Sequence, residues 1–519
     1  MRTELRRGGL AAVLLLAPTL AGAQQDPLSA IGWLSDSVVL PAEPAALPRS
    51  TPPTEASDIP SNALPEDITV TPLDAPSPDT VGLVPARRLG LPADLWGASS
   101  SAALAQKIAH PPAPSVPALR ELFKSVLIAQ VDPPLDSLGE NALFLARIDA
   151  LLDLGSLRDA ARLLDQAGKT EPAYFRRWFD IALLTGTEDT ACDRMRALPQ
   201  ISPTYAARIF CLARTGDWHA AALTLETAKA LGLVEGAEDN LLGRFLLAGD
   251  DQGGLSLPPL RNPTPLQYAM YEAIGEPIST NNLPIAFAHA DLRPMIGWKA
   301  RISAAERLAR AGAIGVDRLL EVYSERMPAA SGGVWDRVEA VQRLLTALDR
   351  PDPTAVSAAL PGLWSAAREA GLEVPFAEAF GQKLATLPLD DAADTIRLKL
   401  GLLSPDYAAI ARAHGPRTEE QAFWIALATA DMAETPAPDP MDTALRDGFL
   451  ADAPQPDIAA LIEQDRKGEA LLAALDGFAD GARGNLDRLA GAVAALRALG
   501  LDGTARRAAL QLAILRDGT

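Results

Sequence analysis

From about Ser99 to the C-terminus, apolar residues recur every three to four positions, and no long stretch alternates with a period of two. That spacing builds amphipathic helices and not half-buried strands. Breaks at Gly155, Gly186, Gly216, Pro258, Gly312, Pro351, Gly371, Pro405 and Gly500 cut the chain into short helical units. In one unit, Trp298, Ile302, Ala305 and Ala309 form a single apolar stripe ahead of Gly312, flanked by Lys299, Arg301, Glu306 and Arg310. Hydrophobic residues make up 48% of the 519 positions but aromatics only 5%, so the core must be built mainly from Ala and Leu. Such a core suits closely packed helices better than aromatic-rich sheets. The expected fold class is all-α, an α-solenoid of stacked antiparallel helix hairpins preceded by a disordered Pro-rich linker.

Self-similarity is clearest between residues 141 and 232. Gly155, Gly186 and Gly216 stand 31 and 30 residues apart, each with a small residue at +5 (Ala160, Ala191, Ala221) and a larger apolar one at +9 (Leu164, Met195, Leu225). The glycine permits a tight turn between two helices, the alanine lets them approach, and the larger residue fills the gap one turn later. Phe144, Ile148 and Leu151, like Tyr205, Ile209 and Leu212, occupy matching positions on the preceding helices. This pattern resembles the tetratricopeptide repeat over about 90 residues. It departs from that family at Ile148, Phe179 and Ile209, which are bulky where a small residue is expected. The resemblance implies a peptide- or protein-binding adaptor with a groove along its hairpins. Residues 99–260 are assigned to these repeat-like helices, and 261–519 to an irregular helical repeat or bundle region.

The N-terminus reads as an address. Arg2, Arg6 and Arg7 precede an apolar run from Leu10 to Leu20 that closes on Ala21-Gly22-Ala23, the pattern of a secretory signal cleaved after Ala23. No cysteine adjoins Ala23, so no lipid anchor is expected, and no later segment is apolar for long enough to span a membrane. The expected location is periplasmic. Residues 24–98 are assigned to a disordered acidic segment, at whose end a second apolar stretch, Val81 to Trp96, marks where the folded domain is expected to begin. Between Pro41 and Thr80, ten of forty residues are Pro and seven are acidic, which denies the backbone helical ladders and offers little apolar surface to offset ordering. Within it, residues 30–40 carry an apolar island around Ile31, Trp33 and Leu34. A tethered island of this kind either docks into a partner groove or folds back onto its own domain.

Cys192 and Cys211 are the only cysteines. In an oxidising compartment, and on helices expected to pack together, they are positioned for a disulfide; the alternative is a pair of buried thiols. Their spacing is not that of a redox or metal motif. The four histidines, His110, His219, His289 and His414, are scattered, and His289 with Asp291 reads as a surface or helix-cap pair. Gly332-Gly333 could receive an anion at a helix start, but a capped turn near Ser331 is the simpler reading. No nucleophile elbow, phosphate loop or calcium loop is present. The segments Glu-Ser-x-Phe and Gly-Leu-Met-Gln that mark the catalytic domain of soluble lytic transglycosylases are absent as well. No cofactor or metal is expected.

With 47 basic against 66 acidic groups, the net charge is −19, which argues against a nucleic-acid partner. The expected function is therefore a non-enzymatic periplasmic adaptor that binds other envelope proteins. Two alternatives stand beside it: an enzyme, or an accessory subunit of one, acting on cell-wall glycan through carboxylates in the C-terminal helices, and a structural spacer without a defined ligand.

Overall fold

The computed structural model describes residues 77–516, apart from 111–115, 138–140, 169–170, 248–256, 258–259, 329 and 350–351. The expected signal segment and the island around Ile31, Trp33 and Leu34 lie outside the described residues.

The regular structure of the described chain is almost all helix. A strap from Ser77 to Ser99 contains 3-10 turns at Pro78–Thr80 and Ala86–Leu89 and the strand β1 (Val84–Pro85), which pairs in parallel with β2 (Ala129–Gln130). Then come α1 (Ser101–Ala109), α2 (Pro117–Ile128), α3 (Ala142–Asp153), α4 (Leu157–Ala167), α5 (Pro172–Thr185), α6 (Glu188–Ala197), α7 (Tyr205–Arg214) and α8 (Trp218–Ala230). The middle of the chain forms α9 (Gly236–Leu246), α10 (Pro265–Ala273), α11 (Trp298–Arg310), α12 (Val316–Ser324), α13 (Val334–Asp349), α14 (Pro353–Ala370), α15 (Glu373–Leu384) and α16 (Asp391–Leu403). The chain closes with α17 (Tyr407–Ala413), α18 (Glu419–Thr429), α19 (Pro440–Leu450), α20 (Pro456–Glu463), α21 (Lys467–Ala482), α22 (Leu486–Ala498) and α23 (Asp502–Leu515).

The repeated glycines act at the turns. Gly155, Gly186 and Gly216 have φ of 70°, 75° and 87° and join α3 to α4, α5 to α6 and α7 to α8. Only glycine adopts that left-handed backbone without strain. The residues at +5 and +9 are buried in all three hairpins. From α3 to α9 consecutive helices pack in order, as stacked hairpins do. The stripe from Trp298 is likewise the inner face of α11, where Ile302 and Ala305 are fully buried and the Trp298 indole donates to the Val322 carbonyl at 2.8 Å.

Two expectations are corrected. The linker does not extend to residue 98, because Leu91, Leu95 and Trp96 are buried and their apolar surface offsets the ordering of the strap. Nor does each hairpin meet only its neighbours, as in an open solenoid. The last helix, α23, packs on α2, and α1 packs on α21, so the two ends of the described chain are joined. The Trp96 ring lies where a side chain at position 468 would otherwise sit: a Cβ on Gly468 would come within 2.6 Å of it. The Gly468 amide donates to the Leu95 carbonyl at 2.7 Å, Lys467 pairs with Asp94 at 2.6 Å, and the Ala118 amide donates to Gln511 Oε1 at 2.7 Å.

Arg147 on α3 anchors the strap. It is fully buried, and its guanidinium donates to the carbonyls of Leu127, Asp79, Val81 and Ala129 at 2.9, 3.2, 2.9 and 3.1 Å. Burial lowers its pKa to about 10, with the buried Asp79 opposing the shift, so it stays charged at neutral pH. We predict that Arg147→Met, which fills the same space but leaves four carbonyls without a donor, lowers stability by about 3–5 kcal/mol. Urea unfolding followed by far-UV circular dichroism measures the loss.

Candidate partner-binding groove

The later repeat-like helices, from α5 onward, have a core of their own, whereas the first hairpin (α3 and α4) belongs to the main core. Phe175, Phe179, Met195, Phe210, Leu242 and Tyr271 belong to a cluster separate from the main core that runs through the rest of the chain. Helix α5 serves both. Tyr174, Ile181 and Leu184 face the main core, whereas Phe175, Phe179 and Leu183 face the repeat core. Cys192 on α6 and Cys211 on α7 are buried in the second cluster and bridged, with Cα atoms 4.9 Å apart. The bridge ties the second helix of one hairpin to the first helix of the next.

Along this cluster runs a groove of about 650 Å³, framed by α5 and by the N-terminal ends of α7, α9 and α10. Thr204 and Thr264 cap two of those ends through their side chains, at 3.0 and 3.2 Å. Phe179, Ala206, Leu266 and Met270 supply apolar walls, and Leu233, 36% exposed, stands at the lip. Leu231 and Leu233, both exposed, lie in the turn between α8 and α9 that borders the groove, whereas Trp218 packs on Phe245 at the far end of α9.

The groove also holds a carboxylate in an unusual setting. Asp180 on α5 is only 8% exposed, and its Oδ2 accepts no hydrogen bond. The adjacent Arg177 is committed to Asp149, with bonds of 2.5 and 2.7 Å. Burial raises the Asp180 pKa to about 7, against the opposing pull of Arg176 and Arg177 and with a small push from Asp149. Burial also raises Glu238, on the same groove, above the usual carboxylate range. With Asp180, Glu235 and Glu238 against Arg176, the lining is acidic and suits a cationic group.

Other residues singled out in the sequence are not brought together here. His289 is largely buried, hydrogen-bonded through Nε2 to the Gly155 carbonyl at 2.7 Å, and held below the usual histidine range by burial. Asp291 instead accepts from the Thr280 hydroxyl. The Gly332 amide is occupied by Asp336 of the chain's own helix, at 2.8 Å. Among the described residues, no group of three or more His, Cys, Asp or Glu is placed to hold a metal ion. Nor is any helix among them long and apolar enough to cross a membrane. Asp180 is not distinguishable in sequence from any other acid on an amphipathic helix. Its one signal is position, next to Phe179 on a helix whose apolar residues fall on more than one face.

Comparison with protein-family models, with curated proteins and with solved structures finds no match to this chain.

Two predictions follow from these contacts. Replacing both cysteines with alanine lowers stability by about 3 kcal/mol, the loop-closure value for a span of this length, and reductant lowers the melting temperature of the parent chain but not of the variant. Asp180 sets a pH dependence. Its folded pKa lies above its unfolded one, so the folded chain keeps a proton that the unfolded chain has lost. Stability therefore falls as pH rises from about 4 to about 7 and stays low above that. Asp180→Asn removes this slope and raises stability near pH 8 by an order of 2–4 kcal/mol, with little change near pH 4, as urea titrations across the range read out.

Proposed function

We propose that this chain is a non-enzymatic adaptor of the periplasm, in which tetratricopeptide-like hairpins bind an extended segment of another envelope protein. The observation that carries the reading is the groove beside α5, with its apolar walls, acidic lining and a buried carboxylate that accepts no hydrogen bond at Oδ2. An apolar peptide bearing a Lys or Arg would fill the space and supply Asp180 with a cation. Its arrival would lower the Asp180 pKa and release a proton, so binding tightens as pH rises toward 7. Leu231, exposed in the turn that carries Leu233, extends the apolar lip of the groove. Export rests on Arg2, Arg6, Arg7 and the apolar run that ends at Ala23, and the island around Trp33 would act as a second, tethered contact.

Site-specific photo-crosslinking in cells tests the reading. A photoreactive residue at position 233 is expected to trap one defined envelope protein from the periplasmic fraction, on a chain whose mature N-terminus is Gln24. Leu266→Glu, a partly buried groove position, should reduce that adduct by about tenfold, the factor for 1.4 kcal/mol. Equal adduct from position 233 and from Arg343, an exposed site on α13, would defeat the proposal. So would a chain retaining residues 1–23 in the cytoplasm.

A further inference from the structure

A second cavity lies where the joined ends of the chain meet its middle, and its charge runs against that of the protein. About 420 Å³ in volume and open to solvent on one side, it is bordered by α2, the start of α4, the turn between α11 and α12, α15 and α23. Five cations line it (Arg120, Lys124, Arg158, Arg310 and Arg507) against two acids, Glu121 and Glu378. Two of the cations are neutralised by the chain itself: Lys124 pairs with Asp159 at 3.0 Å and Arg507 with Glu121 at 2.7 Å.

None of the other three makes a direct ion pair, although Glu373 lies close enough to Arg310 to feel its charge. Arg120 donates to the Arg310 carbonyl at 2.7 Å, and Arg310 donates to the Ala370 carbonyl at 2.6 Å. A carbonyl takes one N–H from a guanidinium that has five, and it cancels no charge. Burial lowers the pKa of Arg120, and no carboxylate opposes the shift. Arg158, exposed, makes neither an ion pair nor a hydrogen bond through its side chain. Three arginines without an ion pair thus line one space in a chain of net charge −19.

An independent feature of the same wall points the same way. Ser156 occupies the N-cap position of α4, yet its hydroxyl does not cap the helix. The residue is 2% exposed, lines this cavity, and its Oγ has no hydrogen-bond partner. A buried hydroxyl left unbonded is costly, and an oxyanion would complete it. The helix dipole of α4 adds partial positive charge at that end.

We propose that this central cavity is a binding site for a small polyanion bearing phosphate or carboxylate groups, held by Arg120, Arg158 and Arg310 with the Ser156 hydroxyl. The site does not depend on the repeat groove, and the two stand or fall separately.

Calorimetric titration of the full-length mature protein with pyrophosphate and, separately, with citrate provides the test. Binding of at least one probe is expected, weakening as salt rises through screening of the three charges. Preference for pyrophosphate identifies a phosphate ligand, and preference for citrate a carboxylate one. Arg158→Glu should weaken binding by about tenfold or more, equivalent to 1.4 kcal/mol. Because that side chain is exposed and unbonded, the fold should survive the change. Ser156→Ala should weaken binding by a smaller factor, and Arg88→Glu, the same charge reversal on the exposed strap, should leave it unchanged. Absence of heat with both probes overturns the proposal, as does equal affinity in the Arg158→Glu and Arg88→Glu variants.

Discussion

The buried guanidinium of Arg147 is the constraint from which the rest of this fold is assembled. Removing a guanidinium from water is expensive, and the expense is offset only if its donors are met. Four backbone carbonyls meet them, from the strap and from the segment after α2. Those carbonyls would otherwise be short of donors, since β1 and β2 are two residues each. With the strap fixed, Leu95 and Trp96 are delivered to α21, where the missing side chain of Gly468 makes room for the indole. Helix α23 can then lie against α2, and the central cavity between them acquires its walls. One charged side chain thus links local pairing in the strap to contacts nearly 400 positions apart.

Arginine serves similar ends elsewhere in the chain. Helix ends leave carbonyls without intrahelical donors, and a chain of short helices has many such ends. Arg120 donates to the carbonyl of Arg310, Arg310 to that of Ala370, Arg397 to that of Ala385, and Arg506 to that of Leu427. In each case a side chain from one element ties down the end of another. The planar fork suits this work better than an ammonium, because it can hold a carbonyl and still reach a second partner. In a core with few aromatics, such ties fix the relative position of helices whose Ala and Leu faces could otherwise slide.

What was legible in the sequence follows the range of the interactions. Gly155, Gly186 and Gly216, with their alanines at +5, are local signals, and they mark real hairpin turns. The apolar stripe from Trp298 is local too. Cys192 and Cys211 were readable because only two helices separated by a short turn had to be placed. The joining of the ends was not readable. Trp96 gives no hint that its seat is Gly468, and Gln511 looks like any polar residue on a helix. The central cavity was equally hidden, because Arg120, Arg158 and Arg310 each read as part of a solvated face until the fold gathers them. An overall charge of −19 even argues against looking for them.

Folded chains seldom tolerate polar groups that break the rules of burial without a return elsewhere. Much of the polar interior here obeys those rules: Arg147 places four of its five N–H groups on carbonyls, and Glu306 is held by Arg337 and by the Tyr323 hydroxyl at 2.7 Å. Two departures fall on cavity walls. One is Asp180, with a carboxylate oxygen that accepts no hydrogen bond in an acidic groove. The other is Ser156, with an unbonded hydroxyl on a cavity also lined by Arg120, Arg158 and Arg310, none of them in an ion pair. Selection for stability alone would replace the first with Asn and the second with Ala, both single changes that fit the space. Their opposite polarity implies opposite ligands, a cation for the groove and an anion for the central cavity. A spacer with no ligand at all would require neither.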